Sequence, residues 1–212
     1  LFGQFAFHVG RDSLWDSRAA MTALLDIASV LGRADIKSEL IKELERHATT
    51  LGRVASDPRV DRERLQEILA DIEANNRAIQ RLNGQLGLDI RNDDFLKAVA
   101  QRSAVPGGNC DFDLPHYYFW LQKPYVERAA DLERWSLTVA PVRSSVDLLL
   151  SLIRGSSRPL QEVARQGFFK PSLVPALPSQ LVRVTLPAQS GLVAEISGGK
   201  HRFTIRFLEG RV

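Results

Sequence analysis

The chain has 212 residues, 44% of them hydrophobic, which excludes wholesale disorder and fits one large domain or two small ones. A single Cys excludes an intramolecular disulfide framework and suits a reducing, cytosolic setting. The formal net charge of +3 is too mild to announce a nucleic-acid binder.

The charge is unevenly spread. Residues 1–100 hold 14 Lys and Arg against 16 Asp and Glu, residues 101–180 hold 9 against 7, and residues 181–212 hold 5 against 2. The C-terminal stretch therefore carries a positive charge equal to that of the whole chain. The apolar stretch Val146–Ile153 is interrupted by Asp147 and Ser151 and falls well short of the roughly 20 residues that span a bilayer, so no membrane partner is expected. The chain opens on Leu1 rather than Met, which leaves a removed targeting segment open.

In chain order, the first two-thirds read as helices. Leu14 to Leu31 places Leu14, Ala20, Leu24, Leu25, Ile27 and Leu31 at helical spacing, with Gly32 as its stop. Asp35 is the expected N-cap of a helix to about Val54, with Ile36, Leu40, Leu44 and Leu51 on one stripe. After Pro58 a third helix is expected from about Arg62 to Leu86. Leu65, Ile72, Ile79 and Leu86 lie seven apart, with Leu69, Asn76 and Asn83 between them. Two readings stay open for this hairpin: an intrachain pair, or an arm that meets a second copy.

Phe95 to Ser103 reads as a short helix, Pro106 to Asn109 as a turn, and Cys110 to Leu114 as a short strand. Pro115 suits the first turn of a helix holding Tyr117 to Leu121. Val126–Ala140 and Val142–Arg154 read as two helices parted by Pro141. Composition changes at Gly155-Ser156-Ser157. Leu181–Leu186, Leu192–Ile196 and Lys200–Leu208 then read as strands, with Ser197-Gly198-Gly199 as a hairpin turn. The pattern is α+β: a helical domain, 1–155, followed by a small antiparallel β domain, 156–212.

Strand periodicity puts Phe203, Ile205 and Phe207 on one face and Lys200, Arg202, Thr204 and Arg206 on the other. Three like charges on one face repel, and Arg offers a fork matched to carboxylate or phosphate, so the ladder invites an anionic partner. The alternative is a solvated strand face balanced by Glu195 and Glu209. Arg33, just past a helix end, is read first as a cation on the helix dipole and second as part of an anion pocket. Tyr117, Tyr118, Phe119 and Trp120 read mostly as core, with Trp120 and Lys123 as a possible groove edge.

Enzymatic and metal readings find little purchase. Asp111, Asp113 and His116 follow a turn, where Asp commonly caps or turns the chain, and no nucleophile–base pair accompanies them. Cys110 and His116 are too few ligands for zinc. No catalytic residue, metal or cofactor is expected. A nucleic-acid-binding module using the basic strand is the alternative to a protein-binding one.

Three segments, IKSELIKELER (36–46), VPGGNCDFDLPHYYFWL (105–121) and ISGGKHRFTIRF (196–207), resemble the ZapD family of cytosolic bacterial cell-division proteins that associate with FtsZ. The resemblance implies a helical domain and a β domain working as a homodimer. It further implies binding of the FtsZ C-terminal tail and cross-linking of filaments at the mid-cell division ring, without enzymatic activity. The matching tail-binding positions are Arg33, Lys200, Arg202 and Arg206, with Trp120 and Tyr118 in the matching aromatic segment. The family pattern also has arginines upstream of the position of Leu1.

Overall fold

The computed structural model describes residues 1–33, 35–108, 110, 112–157, 159–171, 180–199 and 202–210. Two compact units divide the chain, Leu1–Leu149 and Leu150–Val212. The fold is α+β, as the order of sequence patterns predicts.

The first unit is helical. Helix α1 (Phe2–Val9) packs on α2 (Leu14–Leu31). Ser13 starts α2 by accepting hydrogen bonds at Oγ from the Trp15 and Asp16 backbone N–H groups. Helix α2 is the centre of the core, with Ala20, Met21, Ala23, Leu24, Ile27 and Ala28 all nearly inaccessible. A single amphipathic face would not bury so many positions; this helix is covered on several sides, as its broad apolar pattern requires.

Helix α3 (Ile36–Arg53) packs against α4 (Arg62–Arg81) as an intrachain hairpin. Leu40 and Leu44 of α3 and Leu65, Ile72 and Ile79 of α4 are buried, so the seven-residue stripe is used within the chain. Asp35 sits at the N-cap position of α3, but its backbone is helical and its side chain makes no capping bond. Asp61 and Asp93 do cap their helices.

Helix α4 ends at Arg81, before the expected Leu86. Leu82 is extended, and Gly84 and Gly87 take left-handed φ values of 67° and 69°. A Cβ on Gly87 would also lie 3.3 Å from Ala28 Cα, a tight approach that adds to the preference for glycine set by its φ. Leu86 still reaches the core, from a loop.

Short helix α5 (Leu88–Asn92), not anticipated from the sequence, leads through Asp93 into α6 (Asp94–Ser103). The expected strand at Cys110–Leu114 is a turn instead. Asp113 and Leu114 N–H both donate to the Cys110 carbonyl, and the Cys110 thiol donates to Asp113 Oδ2. Local side-chain and backbone bonds outweigh the alternating pattern there. Asp111 lies outside the described residues.

Helix α7 (Pro115–Leu121) begins on its proline. Helices α8 (Tyr125–Ser136) and α9 (Ala140–Gly155) follow, joined by a 3₁₀ turn at Leu137–Val139. Pro141 is thus in the first turn of α9, where its missing N–H costs nothing. The helical run Tyr125–Gly155 contains an 18-residue window of mean hydropathy 1.4, long and apolar enough to cross a membrane by composition. Several of its side chains, Leu132, Trp135, Val139 and Val142 among them, are spent in the core of the first unit.

The second unit holds a three-stranded antiparallel sheet of order β1-β3-β2, made of β1 (Phe168–Phe169), β2 (Leu192–Gly199) and β3 (Arg202–Glu209). Residues 181–187 are not a strand, against expectation, and β1 was not anticipated. Ser197, Gly198 and Gly199 remain in the ladder, paired to Thr204, Phe203 and Arg202, so they are not the hairpin turn. A Cβ on Gly198 would lie 2.7 Å from Phe203 Cβ; its glycine serves a cross-strand contact.

Candidate functional site

Strand β3 presents its cations as its alternation requires. Arg202 and Arg206 are exposed, while Ile205 between them is buried and Phe203 and Phe207 are half-buried on the opposite face. Those three line an apolar cleft of about 680 Å³ within the second unit, together with Phe169 and Leu181. The apolar cleft and the basic face are therefore opposite sides of one strand.

The two arginines have different surroundings. Arg206 is paired with Glu195 on one neighbour and Phe168 on the other. Its Nη1 is 3.9 Å from Glu195 Oε2, and its guanidinium carbon is 5.9 Å from the Phe168 ring centroid. Both partners of that ion pair are more than half exposed, so it contributes little. Arg202 faces Gly199, which has no side chain, and makes no ion pair among the described residues. One separated, solvated pair and one open guanidinium leave this face with net positive charge. Lys200, the third expected member of the ladder, lies outside the described residues.

The remaining expected positions belong to the first unit. Arg33 is exposed just past the end of α2, and no ion pair or side-chain hydrogen bond engages it among the described residues. Tyr118, on α7, is 44% exposed. Trp120 is only 4% exposed. Its ring stacks on Tyr117 at 5.9 Å and abuts Trp135 at 6.1 Å, and Phe95 completes the cluster. Its Nε1–H donates to Asp131 Oδ2 at 3.1 Å. Trp120 is thus core, and in this conformation it supports α7 rather than edging a groove. Lys123 joins the same carboxylate at 3.3 Å, and Arg134 binds its other oxygen at 3.1 Å. Partial burial pushes the Asp131 carboxyl up, but bonds from Arg134, Trp120 and Lys123 outweigh it and hold the group below the usual carboxylate range.

No sequence signal marked Arg91 and Gln85, which surround the Gly32–Arg33 corner. Gln85 Nε2 donates to the Gly32 carbonyl, and Arg91 Nη2 donates to Gln85 Oε1 at 2.9 Å. Gly32 was legible only as a helix stop. Its φ of −67° is open to any residue, and the Arg91 guanidinium lies over it.

Elsewhere, chemistry is sparse. Among the described residues no group of three His, Cys, Asp or Glu could hold a metal ion. The Cys110 thiol is held protonated, its pKa raised first by its hydrogen bond to Asp113 and then by burial.

Residues 1–206 match the profile of the family described as ZapD, cell division protein. The chain is 41% identical over 198 residues to the cell division protein ZapD of Methylococcus capsulatus, covering 93% of this chain and 78% of that protein. It is 34% identical over 208 residues to ZapD of Azoarcus sp. and over 207 residues to ZapD of Janthinobacterium sp., in each case covering 98% of this chain and 82% of the relative. With a match along nearly its full length, the chain belongs to the ZapD family of cell division proteins.

Proposed function

We propose that this protein binds the acidic, partly apolar C-terminal tail of FtsZ and, as a cytoplasmic homodimer at the mid-cell division site, cross-links FtsZ filaments. It does so by binding, without catalysis. The observation that carries the reading is the basic face of β3, where Arg202 has no counter-charge among the described residues and Arg206 has only a solvated one. Arg33 and Tyr118 in the first unit supply a further exposed cation and aromatic. Charge pairs of this kind set encounter rate and register more than raw affinity. Two sites on a dimer, meeting many tails on one filament, convert weak single contacts into avidity.

The test is binding of an FtsZ C-terminal peptide to the wild type and to the Arg202→Glu, Arg206→Glu double variant. Reversal of both charges is expected to weaken binding by at least about tenfold, the effect of one lost charge-assisted hydrogen bond. Equal affinities would remove the assignment. Sedimentation of FtsZ polymers, with the mass of the free protein in solution, tests cross-linking and the dimer.

A further inference from the structure

The corner where α2 gives way to α3 carries more positive charge than Arg33 alone. Arg91, in the last turn of α5, reaches into it. Its Nη2 donates to Gln85 Oε1 at 2.9 Å and to the Leu86 carbonyl at 3.3 Å. Its Nη1 lies over Gly32, in the space that a Cβ on that glycine would take. The two Nη2 bonds hold the guanidinium beside the residue that precedes Arg33. A guanidinium has five N–H donors. Among the described residues both Nη2 donors serve the scaffold, Nη1 has no hydrogen-bond partner, and Nε is buried without one. Neither Arg33 nor Arg91 has a carboxylate within ion-pair distance among those residues. The carbonyl end of α2 attracts cations, which accounts for their gathering, but its partial charge of about half a unit cannot cancel two full ones.

We propose that Arg91 is a second ligand-binding arginine, pairing with Arg33 to take one carboxylate of an acidic extended peptide. Gly32 and Gln85 are the positioning residues: the first leaves room for the guanidinium, and the second ties it to the α2 terminus. The inference rests on the tail-binding reading above and adds a contact to it. A planar guanidinium held by its Nη2 edge presents Nη1 as a fixed donor, which a mobile surface lysine does not.

The experiment measures binding of the FtsZ C-terminal peptide to the full chain at several salt concentrations, alongside thermal unfolding. Arg91→Gln is expected to weaken binding about tenfold or more and to flatten its salt dependence. Arg91→Lys is expected to keep the salt dependence while recovering only part of the affinity. Gly32→Ala, whose backbone suits alanine, is expected to displace Arg91 and weaken binding with an unfolding midpoint close to wild type. Amidating the peptide carboxylates one at a time should yield one peptide to which Arg91→Gln and wild type bind equally.

If Arg33→Glu weakens binding while Arg91→Gln binds as wild type does, the role of Arg91 is overturned and tail binding stands. If Arg91→Gln and Arg91→Lys weaken every peptide equally and only in step with a lowered unfolding midpoint, Arg91 is structural and the proposal fails. If Arg33→Glu and the β3 double variant all bind as wild type does, tail binding itself fails and takes the proposal with it.

Discussion

Arg128 offers the sharpest test of how the first unit is held together. It is 7% exposed and pairs with no carboxylate among the described residues. Instead its guanidinium joins three segments. Nε donates to Ser17 Oγ at 2.9 Å, Nη1 to the Leu121 and Lys123 carbonyls at 3.2 and 2.5 Å, and Nη2 to the Asp12 carbonyl at 2.8 Å. The α1–α2 connection, helix α2 and the α7–α8 connection thus meet on one side chain. Arg128→Met keeps much of the apolar stem and removes all four bonds. At a net contribution of about 1 kcal/mol each, the expected loss is about 4 kcal/mol. Burying an uncompensated cation is itself costly, and removing that cost offsets part of the loss. A loss of about 3 kcal/mol is therefore the lower expectation.

Urea unfolding followed by tryptophan fluorescence is the suitable assay, because Trp15, Trp120 and Trp135 all lie within Leu1–Leu149 and report on that unit. With a slope of about 2 kcal/mol per molar urea, the midpoint should fall by about 1.5–2 M. Arg128→Lys, a point charge without the fork, should recover less than half of the loss. A midpoint shift below about 0.5 M for Arg128→Met, or full stability in Arg128→Lys, would refute the reasoning.

Two further outcomes follow from local chemistry. Burial pushes the Tyr117 hydroxyl up to about 12, against a smaller opposing effect of Arg18. Because the unfolded chain ionises near 10, stability is full below that pH and falls as pH rises toward 12, by about 2–3 kcal/mol in total. Tyr117→Phe should lose this alkaline decline in urea titrations at pH 9 to 11, and an unchanged decline would contradict it. The Cys110 thiol, kept protonated by Asp113, should alkylate more slowly at pH 8 than a free thiol, and Asp113→Asn should accelerate it. Equal rates in both proteins would show that the bond does not govern reactivity.

The sequence by itself determined the helices whose apolar spacing and stop signals agree, such as Leu14–Leu31 with Gly32 after it, and the alternation of β3 that turns Arg202 and Arg206 away from Ile205. These are local properties, set by a period of 3.6 or 2 and by neighbouring side chains. It also carried the family, because three separated segments are specific together. Tertiary structure decided what depends on contacts between distant segments. The approach of Ala28 adds to the preference for glycine at Gly87, and the strand across from Gly198 leaves no room for a Cβ there. Trp120 became core because Phe95 and Trp135 close around it, while neighbouring Tyr118 stayed exposed. Above all, Arg91 is 58 positions from Arg33 in the chain, and no periodicity connects them. Only the fold brings its guanidinium onto Gly32, giving a residue legible as a helix stop its second meaning.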